Sequence, residues 1–159
     1  MKEKKILMVC LGNICRSPLA EGILTKKCNH LPVIVDSAGI SAYHVGHAPD
    51  KRSQHTASLN NINIGNQRAR ELNSLDIETF DLIYAMDSSN YTNILKLAKN
   101  KKDQKKIHLI LNASNPGQNM SVPDPYYGGD QGFKNIFDLL NDACEAIKTQ
   151  LEKEFNVER

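Results

Sequence analysis

A cysteine at position 10 is followed six residues later by an arginine, in the stretch Cys10-Leu11-Gly12-Asn13-Ile14-Cys15-Arg16-Ser17. A thiol and a guanidinium at this spacing suit an oxyanion. Loop N–H groups and the positive end of a helix can converge on a phosphate. Arg16 can add a two-pronged fork to its oxygens. The same positive field stabilises a Cys10 thiolate, the form in which cysteine is a nucleophile. A nucleophile and an anion cradle in one short loop point to covalent phosphoryl transfer through cysteine. Taken alone, the C-x5-R pattern is weak, and a buried strand cysteine beside a solvated arginine explains it as well. Three neighbours shift the balance. Gly12 permits tight backbone geometry, Asn13 tolerates a left-handed conformation, and Ser17 with Pro18 offers a helix cap and first turn. The Ser17 hydroxyl can also donate to the thiolate.

The reaction needs an acid for the leaving oxygen and later a base for water. Asp124, in Val122-Pro123-Asp124-Pro125-Tyr126-Tyr127-Gly128-Gly129, is the best candidate. Prolines stiffen the chain on both sides of it. Tyr126 and Tyr127 can stack on an aromatic leaving group and wall a pocket. His44 and His47 are three apart, but no third ligand is near, so they are read as loop histidines and no metal is expected.

These groups need elements to bring them together. The apolar run 5–10 reads as a buried parallel strand leading into the loop. Ser17 to about Cys28 reads as a helix, Val33–Val35 as a second strand, and Asp36–Gly39 as the turn after it. A helix is expected from Asp50 to about Asn60, and a short turn at 76–79. Residues 81–86 read as a third strand, followed by a helix capped by Ser88 or Ser89. Residues 107–111 read as a fourth strand. Asn112 to Gly129 is a long irregular loop of the kind that usually serves function. Apolar residues from Phe133 to Phe155 recur at helical spacing and mark a last helix whose stripe, Cys144 included, faces a core. Alternating strands and helices predict one α/β domain over 1–159, three layers deep, with a four-stranded parallel sheet. Ligands in such folds bind at the carboxyl ends of strands, where Cys10, Ser37, Asp87 and the 112–129 loop all fall.

Composition bounds the rest. The chain has 159 residues and a formal charge of +2, too small to argue for nucleic acid. The basic run Lys99–Lys106 reads as a solvated loop. No stretch suits a signal peptide or membrane span, and the four cysteines show neither zinc spacing nor a disulfide framework. A cytoplasmic monomer is expected.

At this point the sequence resembles the low-molecular-weight protein tyrosine phosphatases over nearly its whole length. The resemblance rests on V-C-L-G-N-I-C-R-S-P at 9–18, A-E at 20–21, D-S-A-G at 36–39, P-D-x-R at 49–52, A-R at 69–70, F-D-L-I at 80–83, M-D-x-S-N at 86–90 and D-P-Y-Y-G at 124–128. It implies tyrosine-phosphorylated proteins as substrates, phosphate or other oxyanions as product or inhibitors, and no cofactor. It also implies roles. Cys10 attacks phosphorus, and Arg16 with the N–H groups of the phosphate-binding loop, Leu11 to Cys15, holds the phosphate. Asp124 is acid and then base, and Ser17 stabilises the departing Cys10 thiolate. Asn13 keeps the loop in shape with Ser37 among its supports. Leu11, Ile14, Tyr43, Tyr126 and Tyr127 line the pocket. Cys15 is the family's second loop cysteine, a candidate redox partner for Cys10 or simply a small packing residue. Two positions depart from many members: Tyr43 replaces a tryptophan, and Gln67 replaces a histidine that braces the asparagine. An arginine phosphatase of the family is the nearest rival, disfavoured by Ile14 and the tyrosine pair. An arsenate reductase is disfavoured because Cys28 and Cys144 lie on predicted helices and well separated. A non-catalytic phosphoprotein-binding module is disfavoured because Cys10, Arg16 and Asp124 are all present.

Overall fold

The computed structural model describes residues 2–126 and 128–156. Its centre is β1 (Lys4–Cys10), whose residues Ile6, Leu7, Met8 and Val9 have no exposed surface. Burial on both faces follows from its place in the sheet. The order is β2-β1-β3-β4, and all three pairings are parallel. Around β1 lie β2 (Val33–Gly39), β3 (Leu82–Ala85) and β4 (Ile107–Leu109).

Side chains alternate across the sheet. Ile6, Met8 and Cys10 point into a layer shared with α1 (Arg16–Lys27) and α6 (Gly129–Glu154). Leu7 and Val9 point the other way, toward α3 (Ser74–Thr79) and α4 (Ser88–Leu95). The first layer also takes in Ala57 of α2 (Lys51–Leu59). This is the expected three-layer α/β/α fold. The apolar stripe of α6 is buried as expected, from Phe133 through Leu151, with Cys144 inside it.

Several local expectations are corrected. α1 begins at Arg16, and its N-cap position is Cys15 with no side-chain cap. Ser17 does not cap because its hydroxyl is engaged with Asn13 and Cys10 instead. β2 runs on through the expected turn to Gly39, because Asp36 to Gly39 stay in register with Leu7 to Cys10. Residues 74–79 are helical rather than a turn, since Asn73 and Asp76 form a reciprocal capping box. The cap of α4 is Asp87, not Ser88 or Ser89. The basic run contains a short helix, α5 (Lys101–Gln104), started by the Asn100 side chain accepting from the Asp103 N–H. The fourth strand stops at Leu109 and continues as a 3-10 turn to Asn112.

Candidate active site

The chain must turn sharply after Cys10, and the sequence supplies the means. Asn13 sits at φ 56°, the left-handed region that asparagine tolerates better than most residues. Gly39 backs this turn. A Cβ on it would come within 3.1 Å of the Asn13 N, the Asn13 Cβ and the Gly12 carbonyl carbon, so a side chain there would push the loop by a few tenths of an ångström.

The loop carbonyls are tied outward. Cys10 O accepts from Ile40 N at 3.0 Å, Leu11 O from Ser41 N at 2.8 Å, and Ile14 O from Asp50 N at 2.8 Å. Cys15 O accepts from the Ser53 hydroxyl at 3.2 Å. With carbonyls committed to neighbouring loops, the peptide N–H groups are left for the inside of the turn. Among the described residues, the N–H groups of Gly12, Ile14 and Cys15 donate to no protein acceptor. The Asn13 N–H donates to Cys10 Sγ at 3.3 Å.

Side chains complete the brace. Asn13 Nδ2 donates to Ser17 Oγ at 2.8 Å and to Ser37 Oγ at 3.0 Å, and Asn13 Oδ1 accepts from Arg70 N at 3.0 Å. Because Ser17 accepts from Asn13, its own proton is free for Cys10 Sγ, 3.1 Å away. Asn13, Ser17 and Ser37 are all buried. Gln67 does not join this brace. Its Nε2 donates to Pro18 O at 3.1 Å, and its Oε1 is buried without a donor.

Arg16 is 2 % exposed and closes the other side. Its Nη1 donates to Asp87 Oδ2 at 2.6 Å and to Val122 O at 3.0 Å. Asp87 thus has two tasks, since its other oxygen caps α4 through Asn90 N at 2.7 Å. The sequence reading placed Asp87 at a strand end but gave it no role in the site. Its position after β3 and its pairing with a buried arginine were the missing signal.

Asp124 stands above this floor, its side chain 49 % exposed and its Oδ2 3.7 Å from Arg16 Nη2. Its Oδ1 accepts from Tyr126 N at 3.0 Å, a tight turn that aims the carboxyl. Cys10, Leu11, Gly12, Ile14, Cys15, Arg16, Tyr43, Asp124 and Tyr126 line one cleft of about 490 Å³. Tyr127 lies outside the described residues. The cleft also includes Ser41 and His44, which the sequence reading had left out. The His44 ring lies over Gly12 and meets the Tyr43 ring edge-on, with centroids 4.8 Å apart.

The rim is tied to the loop through Asp50, whose N–H holds Ile14 O. Asp50 takes a two-pronged contact from Arg52 at 3.0 and 2.9 Å, which holds its carboxyl below the usual range. The Arg52 guanidinium in turn lies 5.4 Å from the Tyr126 ring centre. Cys15, buried in the loop, has its thiol pushed up to about 12, first by burial and then by Asp50. Cys28, just past the end of α1, and Cys144, within α6, both lie in the inner apolar layer, where burial raises both thiols. Neither belongs to a loop that reaches the cleft.

Fold and site define a class: single-sheet parallel α/β proteins with a cysteine-headed anion loop at the carboxyl end of the central strand. The chain belongs to the low molecular weight phosphotyrosine protein phosphatase family, whose model matches residues 5–157. A putative low molecular weight protein-tyrosine-phosphatase of Synechocystis is 42 % identical over 94 % of this chain and 98 % of its own. A low molecular weight phosphotyrosine protein phosphatase of Schizosaccharomyces pombe is 39 % identical over 91 % of this chain and 94 % of its own. The crystal structure of a protein tyrosine phosphatase from Entamoeba histolytica, with Hepes in its active site, superposes with a TM-score of 0.89. It is 38 % identical, covering 96 % of this chain and 99 % of that one.

Proposed function

We propose that the chain hydrolyses phosphotyrosine in proteins by two in-line displacements at Cys10. The phosphoryl group enters the loop with its oxygens toward the free N–H groups and Arg16. Cys10 Sγ attacks phosphorus as the P–O bond to the tyrosine oxygen breaks. Asp124 gives its proton to that oxygen, so tyrosine leaves neutral. The Asp124 carboxylate then takes a proton from water, whose oxygen attacks phosphorus as the S–P bond breaks. Ser17 donates to the departing thiolate, which spares it the full cost of reappearing unsolvated. Asp87 keeps one edge of Arg16 occupied and so turns the rest of the guanidinium toward the phosphate.

The observation that carries this reading is the pair of donors on Cys10 Sγ, from Ser17 Oγ and Asn13 N, at the floor of a cleft that Asp124 overhangs. A buried structural cysteine has no use for two converging donors. Ile14 and Tyr126 give the cleft apolar and aromatic walls, which supports an aryl phosphate over phosphoarginine.

Phosphate release is measured on matched phosphotyrosine, phosphoserine and phosphoarginine peptides, with Cys10→Ser as control. The proposal requires phosphotyrosine to be the fastest and the control to be inactive. Faster release from phosphoarginine would replace it with the arginine-phosphatase reading.

Cys15 is proposed as a resolving thiol. Peroxide converts Cys10 to a sulfenic acid, which condenses with the Cys15 thiol to a disulfide and releases water. The raised Cys15 pKa keeps it protonated and makes this step slow. After peroxide, a reductant should restore the native chain but not Cys15→Ser.

A further inference from the structure

The mechanism above leaves Glu21 unused, yet this residue is wired to the nucleophile. Its Oε1 accepts the Ser37 hydroxyl at 2.6 Å. Ser37 Oγ accepts from Asn13 Nδ2, the same Nδ2 donates to Ser17 Oγ, and Ser17 donates to Cys10 Sγ. Both serine protons therefore point away from Asn13, one toward each end. We infer that Glu21 is a positioning residue for the nucleophile, and that Glu21 and Cys10 are two anionic ends of one hydrogen-bonded chain competing for a single Asn13 amide. The inference rests on the reading of Cys10 as the nucleophile.

The competition follows from the geometry of the node. An amide nitrogen that donates both its hydrogens cannot strengthen one bond without weakening the other. A charged Glu21 draws the Ser37 proton, makes Ser37 a better acceptor, and pulls Asn13 toward that arm. The Ser17 arm loosens, and with it the hydrogen bond to Cys10. Like-charge repulsion acts in the same direction. A neutral Glu21 releases the amide toward Ser17, so the thiolate is held best when Glu21 carries its proton. By linkage the effect is reciprocal, and a thiolate at Cys10 disfavours charge on Glu21.

The surroundings put Glu21 in a range where this matters. Burial pushes its carboxyl up to about 7, Ser37 pulls it down, Asp36 on β2 raises it and Arg70 lowers it. Arg70 cannot neutralise it fully, being held by Asp36 at 3.0 Å and Asp76 at 3.1 Å. On α1 itself, the Lys26 ammonium is held by the Asn60 and Asn61 carbonyls, 3.3 Å away. Gln67, which shares a surface cavity with Glu21, contributes no charge. That cavity also gives protons a route from solvent to the carboxyl.

The test is the pH dependence of iodoacetamide alkylation at Cys10, measured on the full chain, wild type against Glu21→Gln. Glutamine keeps an oxygen for Ser37 but never ionises. Burial raises the Cys15 thiol, and peptide mass spectrometry assigns the label to Cys10 rather than Cys15. Glu21→Gln should alkylate severalfold faster than wild type above about pH 7, where wild-type Glu21 is charged, and at nearly the same rate near pH 6, where it still carries its proton. Equal rates across the whole range, or slower alkylation of Glu21→Gln above about pH 7, overturn the inference. Because alkylation requires no turnover, this outcome is separate from failure of the phosphatase reading. The reciprocal measurement uses carbon-labelled glutamate and nuclear magnetic resonance on wild type and Cys10→Ser. Glu21 should lose its proton at lower pH once the thiolate is removed, and an unchanged titration also overturns the inference.

Discussion

The two loops that meet over the cleft are built on opposite plans. The loop after β1 is mostly buried, with carbonyls tied outward and the N–H groups of Gly12, Ile14 and Cys15 left for the inside of the turn. Cys10, Asn13, Cys15, Arg16 and Ser17 each expose 5 % or less, and four successive anchors hold its carbonyls. The loop after β4 is long, largely exposed, and held near the cleft chiefly through one residue. Val122 is buried, its N–H donates to Met86 O at 2.8 Å and its carbonyl accepts from Arg16. Beyond that pin Asp124 projects half into solvent. On the proposed mechanism, the difference follows from what each loop must do. A phosphate has the same shape in every substrate, so its cradle gains from being preorganised. The leaving group sits on a protein whose surface varies, so the acid gains from a looser mount. Substitutions in the first loop should therefore affect every substrate alike, and those in the second should depend on the leaving group.

The largest expected effect tests the first half of that contrast. Cys10→Ser should reduce turnover of all aryl phosphates to background while retaining phosphate or vanadate binding by calorimetry. Loss of anion binding as well would mean that the thiol shapes the cradle rather than only reacting in it. Asp124→Ala should come next. A fall of roughly 10²–10⁴ in kcat is expected for phosphotyrosine, and a much smaller one for an aryl phosphate with an acidic phenol. Equal losses for both would break the contrast.

Asp87→Asn keeps a helix cap but removes the charge that holds Arg16. Loss of a charge-assisted hydrogen bond worth about 1.5–3 kcal/mol should lower kcat/KM roughly ten- to a hundredfold, alike for good and poor leaving groups. Tyr43→Ala should have the smallest effect. Tyr43 is 82 % exposed at the rim, so KM should rise severalfold for peptides and stay unchanged for a small aryl phosphate. An equal change on both would make Tyr43 part of the cradle.

The same contrast explains what could be read from the sequence. The loop after β1 was legible because its chemistry is local. Thiol, glycine, asparagine, arginine and serine occur within eight residues, and an apolar strand leads into them. The sheet was legible because strands and helices alternate along the chain. Asp87 and Glu21 were harder to assign, since their roles depend on residues 71 and 16 positions away. The role of Ser17 is not legible locally, since a serine before a proline suits a cap, while burial beside Asn13 and Cys10 directs the hydroxyl elsewhere. The cap of α4 falls on Asp87 for a related reason, as an aspartate ending a strand can serve both the helix and a distant arginine. Nothing local marks His44 as a cleft residue, because its place over Gly12 is set by the return of a distant loop.

The central claim is that the tied loop supplies the nucleophile and the looser loop its acid and base. Rapid quenching of Asp124→Ala with a good aryl phosphate, followed by peptide mass spectrometry, tests it most directly. With the base removed, the phosphoenzyme should accumulate, with one phosphoryl group on the peptide bearing Cys10. Absence of a phosphoenzyme, or a phosphoryl group on any other residue, would contradict the account.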